Sequence, residues 1–155
     1  MCSQIRSLEL RAVATMKREY PDRPLVGVGA IILEGDRVLL ARRGHSPLLG
    51  DWSIPGGVLE LGETLREAVV REAREETGLT VATGELLGVY DRLVRDEHGH
   101  PRYHYVLIDF LCRRISGELQ AADDAEEVRW FTREELKDVS LAPDTQDVIK
   151  KGFEK

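Results

Sequence analysis

The sequence is poor in cysteine, carries no surplus of positive charge and contains no long apolar run, and each absence removes a class of explanation. Its two cysteines, Cys2 and Cys112, lie far apart and form neither a CxxC pair nor a disulfide framework, so a reducing, cytoplasmic setting is expected. The formal net charge of -6 argues against nucleic acid or an anionic membrane as the main partner, because both require a basic surface. A small phosphorylated ligand stays compatible, since a metal ion can supply positive charge locally. No stretch approaches the ~20 apolar residues of a membrane span. The segment from Met1 to Tyr20 is mixed and charged, unlike a signal peptide. Internal repeats, low-complexity linkers and a basic helix-turn-helix segment are also missing. What remains is a chain of 155 residues, 42% hydrophobic and 32% charged, which suits one domain with a real core.

Along the chain, Leu8, Leu10, Val13 and Met16 fall at helical spacing among charges, which predicts a short helix over Ser7 to Arg18. Tyr20-Pro21-Asp22-Arg23-Pro24 breaks it, so residues 1–22 read as a helical extension and 23–155 as the domain proper. Leu25 to Leu33 and Arg37 to Arg42 flank a Glu34-Gly35-Asp36 turn and predict a hairpin. Arg43 to Asp51 reads as a loop, and Trp52 to Ile54 as a short strand that stops at Pro55-Gly56-Gly57. Strands are expected over Glu85–Arg95, Tyr103–Arg113 and Glu127–Phe131, a short helix after the cap Thr132, and a closing helix over Asp144–Phe153. This order suggests an α+β or α/β/α sandwich around a mixed sheet.

Thr64 to Thr77 is the best-marked helix. Thr64 followed by Glu67 forms a capping box, and Gly78 stands where a left-handed cap belongs. At ~100° per residue, Leu65, Ala68, Val69 and Ala73 share a face. Glu72, Glu75 and Glu76 fall within or beside that face, crowding one another at i, i+3 and i+4. Salt bridges to Arg66, Arg71 and Arg74 would be the bland explanation, and Glu67 to Arg71 is a well-spaced i, i+4 pair. Carboxylates on the apolar side fit a hard divalent cation better, because clustered oxygen ligands are what Mg²⁺ or Mn²⁺ requires. Gly56-Gly57 permits close backbone approach, and Glu60 and Glu63 add carboxylates near the helix start.

The stretch Gly57 to Leu79, GVLELGETLREAVVREAREETGL, resembles the Nudix box: Gly, five residues, Glu, seven residues, then Arg-Glu-U-x-Glu-Glu-x-Gly-U, U being a bulky aliphatic. Gly57, Glu63, Arg71, Glu72, Glu75, Glu76, Gly78 and Leu79 fall on pattern, and Ala73 is smaller than the pattern prefers. Eight fixed positions make a specific signal. The preceding hairpin, the Trp-x-x-Pro-Gly-Gly approach and the Arg-Trp-Phe strand extend the likeness over about Arg23 to Lys150.

The resemblance implies the Nudix α/β/α sandwich and Mg²⁺-dependent hydrolysis, with Mn²⁺ as an alternative metal. It implies Glu72, Glu75, Glu76 and the carbonyl of Gly56 as metal ligands, with Glu63 and Arg71 orienting them. Glu75 or Glu76 is expected to be essential, and the resemblance leaves the general base as either a box or a loop carboxylate. A further acidic ligand is expected from Asp123, Asp124, Glu126 or Glu127. Asp124 has the most similar spacing, against the alternative that the run is a solvated turn. Arg42 and Arg43 either hold a phosphate or are ordinary surface arginines. Trp52 either stacks on a base or packs beneath the Gly56-Gly57 turn. Tyr90, Tyr103 and Tyr105 border the pocket or pack in the core, and His98, His100 and His104 lack tetrahedral zinc-site companions. The pattern is most similar to the ADP-ribose pyrophosphatase-like branch, which makes AMP and ribose 5-phosphate. The alternatives are a nucleoside triphosphate pyrophosphatase acting on oxidised or noncanonical nucleotides, and a nucleotide-binding sensor without turnover. The partner is thus a small nucleotide, with no nucleic acid and no membrane. A homodimer is compatible, through the N-terminal helix or exposed strand edges.

Overall fold

A computed structural model describes residues 16–44, 50–123 and 125–155. The helix expected over Ser7 to Arg18 lies outside these residues except for 16–18, which are not helical. Seven strands and two α-helices follow: β1 (Leu25–Glu34), β2 (Arg37–Arg43), β3 (Trp52–Ser53), β4 (Gly56–Val58), α1 (Leu65–Thr77), β5 (Leu79–Arg95), β6 (Pro101–Gly117), β7 (Ala125–Thr132) and α2 (Pro143–Phe153). The element after Thr132 is a single 3-10 turn, Glu135–Asp138. Thr132 and Glu135 cap one another there, through Thr132 N–H to Oε2 at 2.7 Å and Glu135 N–H to Oγ1 at 3.2 Å.

The sheet is mixed, as the element order suggests. β1 runs parallel to β6 and antiparallel to β2 and β4, while β5 pairs antiparallel with β6 at the edge. The β1–β2 hairpin turns at Gly35, whose φ of 62° suits a residue without Cβ. Only Leu33↔Val38 and Glu34↔Arg37 are in register across it. Beyond them β1 pairs with β4, and β2 with β3 and β7, so the sheet opens into two leaves joined at that hairpin.

Alternation along β1 decides which helix covers which face. Val28, Ala30 and Ile32 point to one side, where Ala68, Val69 and Ala73 of α1 pack. Ile31 points to the other, among Val148 and Ile149 of α2, with Leu40 and Phe131. The result is the expected α/β/α sandwich. Ala73 is fully buried, so the small residue where the family pattern prefers a large one lets α1 lie close to the sheet.

Both ends of α1 behave as the sequence dictates. Thr64 Oγ1 accepts from the Glu67 N–H at 3.2 Å, and the Glu67 carboxylate accepts from the Thr64 N–H at 2.7 Å. Gly78, at φ 76°, donates its N–H to the Arg74 carbonyl. Thr64→Ala is therefore expected to destabilise the fold by ~1 kcal/mol, read as a lower urea midpoint at unchanged slope. Because the cap consumes Glu67, the expected i, i+4 pair with Arg71 does not form.

Several element bounds differ from the sequence reading. β4 is a strand although Gly56-Gly57 reads as a turn, because Gly27 and Gly29 on β1 offer it a bare edge to pair with. β5 starts directly at Leu79 and β6 reaches Gly117, with register shifts at Thr80/Val81, Thr83/Leu86 and Leu86/Gly88. Those irregularities break the alternation that marks a strand in sequence. α2 begins at Pro143, which suits the first helical position because its missing N–H would have no partner there.

Candidate active site

The site is built where α1 lies against β4. Glu72 and Glu76 are one turn apart on the helix and meet consecutive glycines of the strand. The Glu72 carboxylate lies against Gly57 so closely that a Cβ there would stand 2.3 Å from it. The Glu76 carboxylate accepts a hydrogen bond from the Gly56 N–H at 3.3 Å. Gly56 is equally confined, since a Cβ on it would lie 2.2 Å from the Val28 carbonyl oxygen. The Gly-Gly pair is therefore required by contact, in addition to any role of its carbonyls.

Arg71 is the hub of the carboxylates. Its guanidinium grips Glu63 with two parallel bonds, Nε to Oε2 at 2.6 Å and Nη2 to Oε1 at 2.8 Å. The same group reaches Glu72 at 2.7 Å, Glu75 at 3.1 Å and the Val58 carbonyl at 3.1 Å. Arg71 holds the Glu63 carboxyl below the usual range. Burial pushes Glu72 the other way, above the usual range, even though Arg71 pulls against it. Glu75 takes the outer of the positions that the helical wheel allows: its side chain is 43% exposed against 14% for Glu72. It lies beside the apolar face and not on it.

No group of three or more His, Cys, Asp or Glu among the described residues forms a ready metal cage. The geometry explains this, since Arg71 stands between Glu72 and Glu75. The donor set itself is all oxygen, with the desolvated carboxylate of Glu72 and that of Glu76 beside a glycine backbone. Such a set fits a hard divalent cation.

A cleft of about 890 Å³ opens from Gly56 and Glu76 across the bare face of β1. Gly27 and Gly29 hollow its floor, on the face that α2 covers further along the strand. Arg42, Arg43 and Gly57 line it too. Arg42 is engaged by Glu127 at 3.1 Å and Glu126 at 3.6 Å, and its guanidinium sits 5.6 Å over the Trp52 ring. Arg43 keeps a buried Nε without a hydrogen-bond partner among the described residues. Trp52 is not among the lining residues. It meets Phe131 edge-on, with ring centroids 4.9 Å apart, and packs in the α2-side core. Its contacts among the described residues are with the core and with the guanidinia of Arg42 and Arg129 over its ring.

Asp124 lies outside the described residues. The loop before it is tied to the end of α1, with the Gln120 N–H on the Thr77 carbonyl and the Ala122 N–H on the Glu76 carbonyl. Tyr103 and Tyr105 line the cleft, whereas Tyr90 turns away to Asp147 at 2.7 Å and Lys151 at 3.2 Å. His98 and His100 are exposed turn residues. Sequence reasoning passed over Asp109, Arg92 and Asp144, which also line the cleft. The available signal was one acid inside the apolar run Val106 to Cys112.

The NUDIX domain family matches residues 23–152. The chain is a Nudix hydrolase. It is 44% identical over 127 residues to the ADP-ribose pyrophosphatase of Methanocaldococcus jannaschii, covering 82% of this chain and 72% of that protein. It is 36% identical over 110 residues to a MutT-like protein of Streptomyces ambofaciens, covering 71% and 64%. The chain thus spans between 64% and 72% of these relatives' lengths. Among solved structures it is similar to the MutT NUDIX hydrolase of Burkholderia pseudomallei, with TM-score 0.73, 31% identity, and coverage of 84% of this chain and 98% of that one. Nudix hydrolases generally need divalent metal ions, which suits the oxygen donors beside Gly56 and Gly57. No helix among the described residues of this Nudix hydrolase is long and apolar enough to cross a membrane.

Proposed function

We propose that this Nudix hydrolase cleaves the diphosphate of ADP-ribose to AMP and ribose 5-phosphate, using Mg²⁺, in the cytoplasm. The observation that carries the reading is the junction of two features. Carboxylates straddle a glycine backbone at one end, and a cleft large enough for a nucleotide runs away from them. The relative named an ADP-ribose pyrophosphatase, at 44% identity, supports the choice of substrate.

In this reading Glu72, Glu75, Glu76 and the Gly56 carbonyl hold the metal, with Asp124 completing the set from the late loop. When bound, the metal screens the diphosphate and makes a water acidic enough to lose a proton near neutral pH. The chain does the rest. Glu63 and Arg71 fix the carboxylates, because a two-pronged pair leaves Arg71 little rotational freedom. Arg43, whose Nε has no hydrogen-bond partner among the described residues, donates to a phosphate oxygen. Arg42 contributes charge through its bridge to β7 and makes the weaker contact. Glu75 or Glu76 takes the proton from the attacking water. Gly57 lets substrate approach the backbone where any side chain would strike Glu72.

The test is a panel of diphosphate and triphosphate substrates with product identification, with Mg²⁺ and with EDTA. AMP and ribose 5-phosphate from ADP-ribose, abolished by EDTA, is the expected result. Pyrophosphate plus a monophosphate from triphosphates as the dominant reaction would replace the substrate. Nucleotide binding without turnover across the panel would make the chain a sensor.

A further inference from the structure

Asp109 is a buried acid that the hydrolytic chemistry leaves unused. It is 5% exposed, and among the described residues no donor is hydrogen-bonded to its carboxylate. Its charged neighbours are Asp144, which disfavours ionisation, and Arg92, which favours it. Arg92 is already committed to Asp144, by bonds of 2.6 and 3.1 Å. Burial pushes the Asp109 carboxyl up to about 6. A desolvated carboxylate with no hydrogen-bonded donor is costly, and Asp109 lines the cleft, where a ligand can supply the missing partner.

The sheet register says where that ligand would lie. Gly29 pairs with Gly56 on one side and with Asp109 on the other, so the three stand in a row across the sheet. Two strand spacings of ~4.8 Å put the Asp109 and Gly56 backbones about 10 Å apart. Both line the same cleft. Gly29 is needed between them, because a Cβ there would stand 2.3 Å from Asp109 Oδ1. The glycine keeps the carboxylate facing the hollow. Beside it the floor is Leu107, with Tyr105 next along the strand. An ionised carboxylate only accepts hydrogen bonds and has two oxygens, so it suits a group offering two adjacent donors. Vicinal hydroxyls of a pentose do so, as in the acid-to-ribose contact of dinucleotide sites.

We infer that Asp109 selects the substrate by accepting hydrogen bonds from the vicinal hydroxyls of a ribose whose phosphate lies at Gly56–Gly57. The inference rests on the proposed diphosphate substrate, and its test is chosen to be independent of turnover. ADP-ribose carries two riboses, and its two products separate them. Calorimetric binding to the full chain is measured for AMP against 2′,3′-dideoxy-AMP, and for ribose 5-phosphate against 2-deoxyribose 5-phosphate. The wild type is expected to prefer one hydroxylated ligand over its deoxy partner by at least ~10-fold, which identifies the ribose concerned. Asp109→Ala removes that preference, while Asp109→Asn, which keeps shape and one acceptor, retains part of it. Melting curves establish that both variants are folded. Equal binding within both pairs by the wild type, no binding of either product, or an unchanged preference in both variants would overturn the assignment. Failure of hydrolysis on the substrate panel, with the binding preference intact, would instead overturn the proposed reaction and leave Asp109 as a ribose-selecting residue.

Discussion

Glu76→Gln is expected to lower kcat for diphosphate hydrolysis by ~10³-fold while moving Tm by no more than a few degrees. The two halves of that expectation have different sources. The folded structure uses Glu76 as an acceptor for the Gly56 N–H at 3.3 Å, and the carbonyl oxygen of glutamine can accept the same bond. What glutamine cannot supply is the negative charge, which both a metal ligand and a general base need. The two roles separate in a metal titration. If Glu76 is chiefly a ligand, raising Mg²⁺ or substituting Mn²⁺ restores part of the rate, because affinity has been lost. If it is chiefly the base, kcat stays low at saturating metal. Glu75→Gln serves as comparison, since that side chain is exposed and is bonded, among the described residues, to Arg71 at 3.1 Å. Near wild-type turnover by Glu76→Gln would sink the assignment of the α1 face as the reaction centre.

How much of this was visible beforehand depended on whether a residue's role is local. α1 was legible to the residue because a capping box, a left-handed glycine and a helical apolar stripe are all sequence-near signals. The carboxylate cluster was legible as a cluster, but its internal pairing was not. Spacing alone suggested Glu67 with Arg71, and the chain instead spends Glu67 on the cap and turns Arg71 to Glu63. Two local rules competed for one side chain, and the helix start won. β4 was hidden because two glycines look like a turn until a partner edge is known, and that edge lies on β1, well upstream. Trp52 shows a similar limit: an aromatic beside a glycine turn suits stacking or packing equally, and only the position of Phe131 decides its surroundings. Asp109 was hidden most deeply. Its burial and its row with Gly29 and Gly56 arise from a parallel pairing between strands that are remote in sequence.

Arg71→Ala is expected to destabilise the protein by ~3 kcal/mol at neutral pH, because it strands carboxylates that are largely withdrawn from water. Glu63 and Glu72 have side chains only 13% and 14% exposed, and Arg71 is the cation that faces both. For a chain of this size that loss corresponds to a fall in Tm of about 6–12 °C. The pH dependence gives the expectation its sign. Arg71 holds Glu63 below its ordinary value of 4.5, so the stability this pair contributes is present above that pH and is lost as pH falls through the folded value. Glu72 is already raised by burial, and without Arg71 it rises further, so in the variant it takes up a proton closer to neutrality. Both effects shrink the gap between wild type and variant as pH falls. Urea unfolding at pH 7.5 and at pH 4 should therefore show a larger difference at the first than at the second. Arg71→Lys should fall between, since an ammonium keeps the charge but cannot grip Glu63 with two parallel bonds while also reaching Glu72 and Glu75. An equal gap at both pH values would mean that Arg71 stabilises through packing of its stem, and the carboxylate hub would then have no electrostatic part in the fold.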